Sequence, residues 1–139
     1  MIFIDTWAWI AMADDTDQYH DAVIKQHRKF LKKNRRYVTS DDVVGELIDF
    51  LYDAVPEPQA RDFVRGLFIK AANGHLRLVH VSPDQFRRAW EMRQKYRDKP
   101  DISFVDFTSM VVMQDLGITD VFTGDAHFRR VNLGFQLHP

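Results

Sequence analysis

Residues 1–5 read Met-Ile-Phe-Ile-Asp, and this short apolar run that ends in an acid decides the class of fold. Consecutive β-prone apolar side chains are typical of a strand that is buried on both faces, as the strands of a parallel sheet are. Residues 119–123 read Thr-Asp-Val-Phe-Thr and predict a second short strand, with Asp125 two residues beyond it. We therefore predict two buried strands that each lead into an acidic residue.

The rest of the chain alternates between strand and helix patterns. Along the sequence we predict helix 17–33, strand 36–40, helix 41–54, a helix from Pro56 to about Ala72, strand 76–81, helix 82–97, helix 103–116, one or two turns at 125–130 and strand 134–137. This alternation favours an α/β fold with a mostly parallel sheet that helices cover on both faces. No repeat or flexible linker interrupts the 139 residues, so we expect residues 1–139 to form a single domain.

The composition excludes several classes of site. The 19 basic and 20 acidic residues nearly cancel, so no strong overall field attracts a polyanion. The absence of cysteine excludes disulfides, thiolate zinc sites and a cysteine nucleophile, and it suits a reducing cytoplasm. The opening apolar run is too short for a signal peptide or a membrane span, so we expect a cytoplasmic protein without membrane association. Basic side chains are concentrated at 25–36 and 87–99, as solvated helix faces that are compatible with a polyanion partner.

Acidic residues follow the predicted strands or lie early in the helices after them. In open α/β sheets, ligands bind beyond the carboxyl ends of strands, where the chain connections reverse direction. Four acids occupy such positions: Asp5, Glu46, Asp106 and Asp125. Each also has a structural interpretation, namely helix N-caps at 5 and 125, a capping box at 103–106, and a solvated stripe at 46, 49 and 53.

Two of these acids are expected to be drawn towards the interior. Glu46 lies at the edge of the apolar arc of its predicted helix, and Asp106 lies in a helix that is apolar on most sides. A buried carboxylate needs a partner, and carboxylates that converge raise one another's pKa unless a cation joins them. Mg²⁺ and Mn²⁺ prefer oxygen ligands, activate water and stabilise charge on phosphoryl oxygens. The acids therefore favour a divalent metal site that hydrolyses phosphodiesters.

Four segments together resemble the PIN-domain family, in particular its VapC-like toxins. They are Ile2-Phe3-Ile4-Asp5-Thr6, Glu46 in an early helix, Ser103-Phe104-Val105-Asp106, and Phe122-Thr123-Gly124-Asp125-Ala126-His127-Phe128. The segments occur in the family's order and span nearly the whole chain, so the combination is far more specific than any one of them. The resemblance implies a three-layer α/β/α sandwich around a five-stranded parallel sheet of strand order 3-2-1-4-5.

The resemblance also implies an activity, endonucleolytic cleavage of RNA with one or two Mg²⁺ or Mn²⁺ ions. The catalytic acids and metal ligands would then be Asp5, Glu46, Asp106 and Asp125. The hydroxyl residues that orient them through hydrogen bonds would be Thr6, Ser103 and Thr123. Asp98 and Asp101 precede the Ser103 segment and could supplement or replace a ligand. The implied partners are the RNA substrate, a small VapB-like antitoxin and a second copy of the chain in a homodimer.

Several neighbouring residues receive other interpretations. His127 stands at a position that varies in the family pattern, so it is not counted among the site residues. Trp7 and Trp9 are interpreted as packing or partner-contact residues rather than base-stacking ones. Arg129 and Arg130, with the two basic clusters, are candidates to hold the phosphates that flank the cleaved bond.

Two other functions remain open from the sequence. A non-catalytic PIN-like module would bind RNA or a protein partner, although all four acids are retained here. A phosphoryl-transfer domain, such as a receiver or a haloacid-dehalogenase-like phosphatase, requires a different acidic pattern near the first strand. The phosphatase has Asp-x-Asp there, whereas this chain has Trp7 two residues after Asp5.

Overall fold

Strands and helices alternate along the whole chain, and the computed structural model describes residues 1–139. The five strands are β1 (Ile2–Ile4), β2 (Tyr37–Ser40), β3 (Leu76–Val79), β4 (Asp120–Phe122) and β5 (Gln136–His138). The seven helices are α1 (Thr6–Ala13), α2 (His20–Lys32), α3 (Asp41–Ala54), α4 (Glu57–Ala72), α5 (Pro83–Lys95), α6 (Phe104–Leu116) and α7 (His127–Arg130). All neighbouring strands are parallel in the order β3-β2-β1-β4-β5, which confirms the predicted fold class and strand order.

The topology places β1 at the centre of the sheet, where the chain changes direction. Strand β1 pairs with β2 on one side and with β4 on the other. The chain leaves β1 towards β2 and β3 and later crosses to β4 and β5. The carboxyl ends of β1 and β4 therefore meet at the crevice where α/β proteins of this kind bind ligands. Asp5 follows the first of these strands directly and Thr123 follows the second.

Helix α6 is buried on nearly all sides, as its apolar sequence predicts. All residues of 106–113 are buried, and the helix packs against α3 and α5. The hydroxyls of Thr108 and Ser109 are accommodated because both donate to the Val105 carbonyl, at 3.0 and 2.8 Å. A capping box begins the helix at Ser103, and Gly117 ends it in the left-handed conformation with φ of 65°. The first turn of α6 therefore holds Asp106 in a fixed position.

Helix α1 is the element that the sequence pattern does not predict. None of its eight side chains is exposed, so the helix has no polar face and the helical period in hydrophobicity is missing. Trp9 anchors the helix to the sheet: its indole N–H donates to Thr39 Oγ1 (3.2 Å), and the Thr39 hydroxyl donates to the Ile4 carbonyl (3.0 Å). The anchored helix fixes the position of Asp5 at its start.

The outer helices are amphipathic. Helix α3 buries Val43, Val44, Leu47 and Leu51, while α2 buries Val23 and Phe30 and exposes most of its charged residues. This division between a buried and a solvated face is what keeps these helices on the sheet. No helix of the protein combines the length and the apolar composition that crossing a membrane would require.

Candidate active site

Asp5 lies at the junction of β1 and α1. It occupies the N-cap position of α1, but its side chain makes no capping hydrogen bond. Instead, the Thr123 hydroxyl donates to Asp5 Oδ2 (2.8 Å), and the Asp5 backbone N–H donates to the Phe122 carbonyl (3.3 Å). Only 3% of Asp5 is exposed. The carboxylate is therefore held against the end of β4 rather than used to begin the helix.

Asp106 both caps α6 and reaches the loop after β4. The Asp106 N–H donates to Ser103 Oγ, and the Ser103 N–H donates to Asp106 Oδ2, both at 3.2 Å. The capping box that the sequence suggested is therefore present. The same Oδ2 atom lies 2.9 Å from His127 Nδ1, although Asp106 is only 6% exposed. The structural interpretation of this acid is therefore confirmed, and its contact with His127 leaves the functional one as a prediction.

The loop from Thr123 to His127 is closed by its own side chains. Thr123 Oγ1 accepts a hydrogen bond from the Asp125 N–H (3.0 Å), and Asp125 Oδ1 accepts one from the His127 N–H (2.9 Å). His127 Nδ1 lies 3.1 Å from Asp125 Oδ2. One ligand atom from each of Asp106, Asp125 and His127 lies within 4.8 Å of the others. Asp5 is not part of this converging group, but Thr123, which holds the Asp125 backbone, also donates to Asp5 and so connects Asp5 to the loop.

The site collects negative charge that no lysine or arginine neutralises by direct contact. Burial raises the pKa of Asp5 to about 7, the nearby Asp106 carboxylate adds to the rise, and the Thr123 hydrogen bond offsets only part of it. Burial also raises the pKa of Asp106, despite the hydrogen bond with His127. No lysine or arginine forms an ion pair with Asp5, Asp106 or Asp125. A cation bound from solution would relieve this repulsion.

The donor atoms fit a divalent cation. Three carboxylates provide the hard oxygen ligands that Mg²⁺ and Mn²⁺ prefer, and His127 adds an imidazole nitrogen that transition metals accept. The buried Thr6 hydroxyl, adjacent to Asp5 in the chain, has no hydrogen-bond partner in the protein. Because buried polar groups are rarely left without a partner, this hydroxyl points to a ligand or water beside the acids.

Glu46 lies apart from this group. It is exposed on α3 and makes no hydrogen bond or ion pair, and it is not among the residues whose ligand atoms converge. The expectation that Glu46 is drawn inward is wrong, because the neighbouring apolar residues fill the buried face of α3. Glu46, Asp49 and Asp53 are all exposed, as the solvated-stripe interpretation requires. A role for Glu46 as a catalytic or metal-binding acid remains a prediction.

The two acids before Ser103 are engaged with basic residues. Asp98 pairs with Lys99 (2.9 Å) and does not contact the site. Asp101 pairs with Arg130, which holds the pKa of Asp101 below its usual range, and Asp101 Oδ2 lies 3.4 Å from His127 Nε2. Asp101 therefore borders the site as a neutralised carboxylate that also contacts His127.

Most of the basic side chains at 87–99 are occupied within the protein. Arg88 pairs with Asp84 and Asp115, and Arg93 donates to the Tyr96, Lys99 and Ile102 carbonyls. The three Arg93 bonds hold the 96–102 segment that leads into Ser103. The end of the 25–36 cluster leads into the amino end of β2, at the sheet edge opposite the acids. Neither cluster is placed mainly around the site, which leaves Arg129 as an exposed basic residue close to it in sequence and without an ion pair.

Sequence reasoning missed two features of the site. His127 was set aside as a variable position, although its spacing of two residues from Asp125 in a tight turn is a signal that could have found it. Gly124 is required by the Trp7 ring, because a Cβ atom at position 124 would lie 2.3 Å from a ring carbon. That contact joins distant parts of the sequence, so no local pattern reveals it. Trp9 is a packing residue, as expected.

The chain belongs to the PIN-domain family, whose model, described as PIN domain, matches residues 2–133. Within this family, it is 31% identical over 128 residues to proteins named 23S rRNA-specific endonuclease VapC20 from two strains of Mycobacterium tuberculosis, CDC 1551 / Oshkosh and H37Rv. The alignment covers 92% of this chain and 92% of each relative. The resemblance to PIN domains and VapC-like toxins is therefore confirmed.

Two solved structures share the fold. The crystal structure of Mycobacterium tuberculosis VapC20, described as a sarcin-ricin loop cleaving toxin, matches with a TM-score of 0.81 at 26% identity over 95% of each chain. VapBC2 from Rickettsia felis, crystallised with a DNA fragment from its promoter, matches with a TM-score of 0.70 at 17% identity. That second match covers 99% of this chain and 98% of the other, and it supports the fold alone.

Proposed function

We propose that this protein is a divalent-metal-dependent endoribonuclease, the toxin of a VapBC-type toxin–antitoxin pair. The observation that carries the proposal is the group of Asp5, Asp106 and Asp125 at the β1–β4 crevice, which no lysine or arginine contacts; His127 alone lies against two of these acids. Asp84, Asp115 and Asp120, by contrast, are each paired with arginine elsewhere in the protein. Family membership and the similarity to VapC20 support the same activity.

Asp5, Asp106, Asp125 and His127 would hold the metal, with Glu46 as a further candidate that would have to approach them. We propose one or two Mg²⁺ or Mn²⁺ ions, because oxygen ligands dominate the set. When bound, such an ion activates a water molecule for attack on the phosphodiester and stabilises charge on the phosphoryl oxygens. The protein's contribution is to hold several carboxylates close together, where a bound cation would offset the burial that raises the pKa of Asp5 and Asp106.

The hydrogen bonds of the site explain how the protein orients these acids. Thr123 fixes one oxygen of Asp5 and also holds the Asp125 backbone, so two acids from different strands are aligned by a single hydroxyl. Ser103 fixes Asp106 through the capping box. Each of these contacts leaves carboxylate oxygen available for a cation. We therefore assign Thr123 and Ser103 an orienting role, and Thr6 a role in holding water or substrate beside Asp5.

The substrate and partners follow from the relatives. RNA is the proposed substrate, and ribosomal RNA is the first one to test because the relatives named VapC20 are described as specific for 23S rRNA. A small VapB-like antitoxin is the proposed inhibitor. We also propose that the protein forms a homodimer, as implied by the resemblance to VapC-like toxins.

The decisive experiment is RNA cleavage with Mg²⁺ or Mn²⁺ by the wild type and by Asp5→Asn and Asp125→Asn. We expect each variant to lose more activity than the roughly 10- to 100-fold that follows removal of an outer hydrogen-bond partner of a metal ligand. Asp49→Asn, which changes an exposed acid on α3, is the matched control and should cleave like the wild type. Undiminished cleavage by both site variants would refute this active site. Binding of RNA without cleavage would instead support the non-catalytic module.

A further inference from the structure

An aromatic pair lies directly beside the acidic site and has no part in the chemistry above. Trp7 follows Asp5 by two residues, and its ring passes across Gly124, which precedes Asp125. Tyr19 lies against Trp7, with ring centroids 5.0 Å apart and planes inclined by 42°. The pair therefore extends from the loop that carries Asp125 towards the protein surface.

Tyr19 is the exposed member of the pair. It is 44% exposed, whereas Trp7 is half-buried. The Tyr19 hydroxyl forms no hydrogen bond within the protein, so polar contacts of the fold do not account for where this ring is placed. An exposed aromatic ring that adjoins an active site is a candidate binding surface rather than part of the core.

Local hydrogen bonds fix the segment that carries Tyr19. Asp14 Oδ1 accepts hydrogen bonds from the Thr16 N–H (3.0 Å) and the Thr16 hydroxyl (2.6 Å). Asp17 Oδ1 accepts one from the Tyr19 N–H (2.8 Å), and the ring of His20 is held at 2.6 Å by a carbonyl of α1. Because the segment is already ordered, a ligand that stacks on Tyr19 loses little binding free energy to ordering the protein.

We propose that Tyr19, supported by Trp7, is a stacking platform for one nucleobase of a single-stranded RNA segment whose backbone passes the acids. This inference rests on the proposed function. Every base has a π-face that can stack on an aromatic ring, so the platform requires no particular sequence. The acids themselves repel the RNA backbone, and Arg130 beside them is engaged by Asp101. Arg129 is the exposed arginine without an ion pair in this segment, so stacking would add binding free energy where few basic side chains are free to contact the backbone.

The test measures the affinity of a labelled, short single-stranded RNA of mixed sequence by fluorescence anisotropy. The host protein is Asp125→Asn, so that the RNA stays intact, and it carries in addition Tyr19→Ala, Tyr19→Phe or Tyr52→Ala. Tyr52 is a tyrosine of similar exposure, 51%, on α3 and away from the aromatic pair. We expect Tyr19→Ala to weaken binding about tenfold and Tyr19→Phe to stay within about twofold, because the phenyl face remains. Tyr52→Ala should bind like the host protein.

In the otherwise wild-type enzyme, Tyr19→Ala should raise KM for RNA with little change in kcat, because Tyr19 does not touch the acids. Equal affinities of the Tyr19→Ala and Tyr52→Ala proteins for RNA would overturn the platform. This is the result expected if the aromatic pair contacts a protein partner instead of RNA. If Tyr19→Ala weakened binding but the wild-type protein did not cleave RNA with Mg²⁺ or Mn²⁺, the platform would be supported and the proposed function overturned. If the wild-type protein cleaved RNA, and neither the affinity nor KM depended on Tyr19, the proposed function would be supported and the platform overturned.

Discussion

Aspartates at the amino and carboxyl ends of the strands have opposite pKa shifts. At the amino end of β4, Asp120 accepts a hydrogen bond from Arg35 (2.7 Å) and lies 2.9 Å from His138 Nε2. Burial alone would raise the pKa of Asp120, but these two contacts more than reverse the effect and hold the pKa below its usual range. At the carboxyl end of β1, Asp5 has no basic partner and its pKa rises to about 7. One edge stabilises a charge for the fold, and the other keeps charge unneutralised.

Helix α6 repeats this difference along its own length. Asp115 lies in its last turn, where a negative charge is unfavourable to the helix dipole, and Arg88 hydrogen bonds hold the pKa of Asp115 low. Asp106 lies in the first turn, where the dipole favours a negative charge, yet burial raises its pKa. Asp115 and Asp120 are therefore paired with arginine, whereas no lysine or arginine contacts the acids of the crevice. This difference is the physical basis for assigning the site to a cation.

The largest expected effect is on the pH dependence of stability of the metal-free protein. Aspartate in the unfolded chain has a pKa of about 3.9, whereas Asp5 in the fold has a pKa of about 7. The folded state therefore holds the proton more tightly, so Asp5 contributes stability below about pH 4 that is lost as pH rises to about 7. The loss is on the order of 4 kcal/mol of unfolding free energy. Urea denaturation in EDTA across this pH range measures it.

Asp5→Asn isolates this contribution, because other titrating groups remain in both proteins. Burial lowers the pKa of His27, for example, so protonation of His27 destabilises the fold as pH falls. This effect is opposite in sign to that of Asp5. The difference in unfolding free energy between wild type and Asp5→Asn should therefore change with pH from about 4 to about 7 and then level off. Parallel curves of unfolding free energy against pH for the two proteins would show that the pKa of Asp5 is not raised in the folded state.

Metal binding is expected to have the next largest effect. At neutral pH, Mn²⁺ at about 100 times its Kd should add about 2.7 kcal/mol to the unfolding free energy. The gain should be largely lost in Asp106→Asn and Asp125→Asn but retained in Asp120→Asn, because Asp120 lies at the other edge of the sheet. Isothermal titration calorimetry with Mn²⁺ and with Mg²⁺ measures the affinity directly. A melting temperature that does not respond to Mn²⁺ would contradict a metal site at the crevice.

The same titration compares Glu46 with His127. His127 already lies within 3.1 Å of two carboxylates, whereas Glu46 is exposed and would have to move. We therefore expect His127→Ala to weaken Mn²⁺ binding more than Glu46→Gln does. The reverse order would mean that Glu46 approaches the acids when the metal binds.

The fold and much of the site were predictable because they depend on local sequence. Apolar strands that end in acids, and a helix that is apolar on most sides, fix where Asp5, Asp106 and Asp125 lie once the strand order is known. The orientation of Glu46 was not predictable, since an acid at the edge of an apolar arc can face either side. The sequence of helix α1 lacks the helical period in hydrophobicity that reveals an amphipathic helix, because none of its side chains is exposed. Contacts such as Trp7 with Gly124 join distant parts of the sequence and leave no local pattern.

The smallest expected effect is the change in unfolding free energy caused by Asp120→Asn, which should be opposite in sign to the change caused by Asp5→Asn. Removing the charge leaves Arg35 partly unpaired, but Arg35 is 30% exposed and can be solvated, so we expect a loss of about 1–2 kcal/mol of unfolding free energy. At neutral pH, Asp5→Asn should instead stabilise the metal-free fold, because it removes a buried charge without a cation. Arg35→Gln is the matched control, and combined with Asp120→Asn it should cost less than the sum of the two single changes. If Asp120→Asn lowered cleavage of RNA while the protein stayed folded, the amino-terminal edge would also belong to the active site, and pairing with arginine would no longer distinguish structural acids from functional ones.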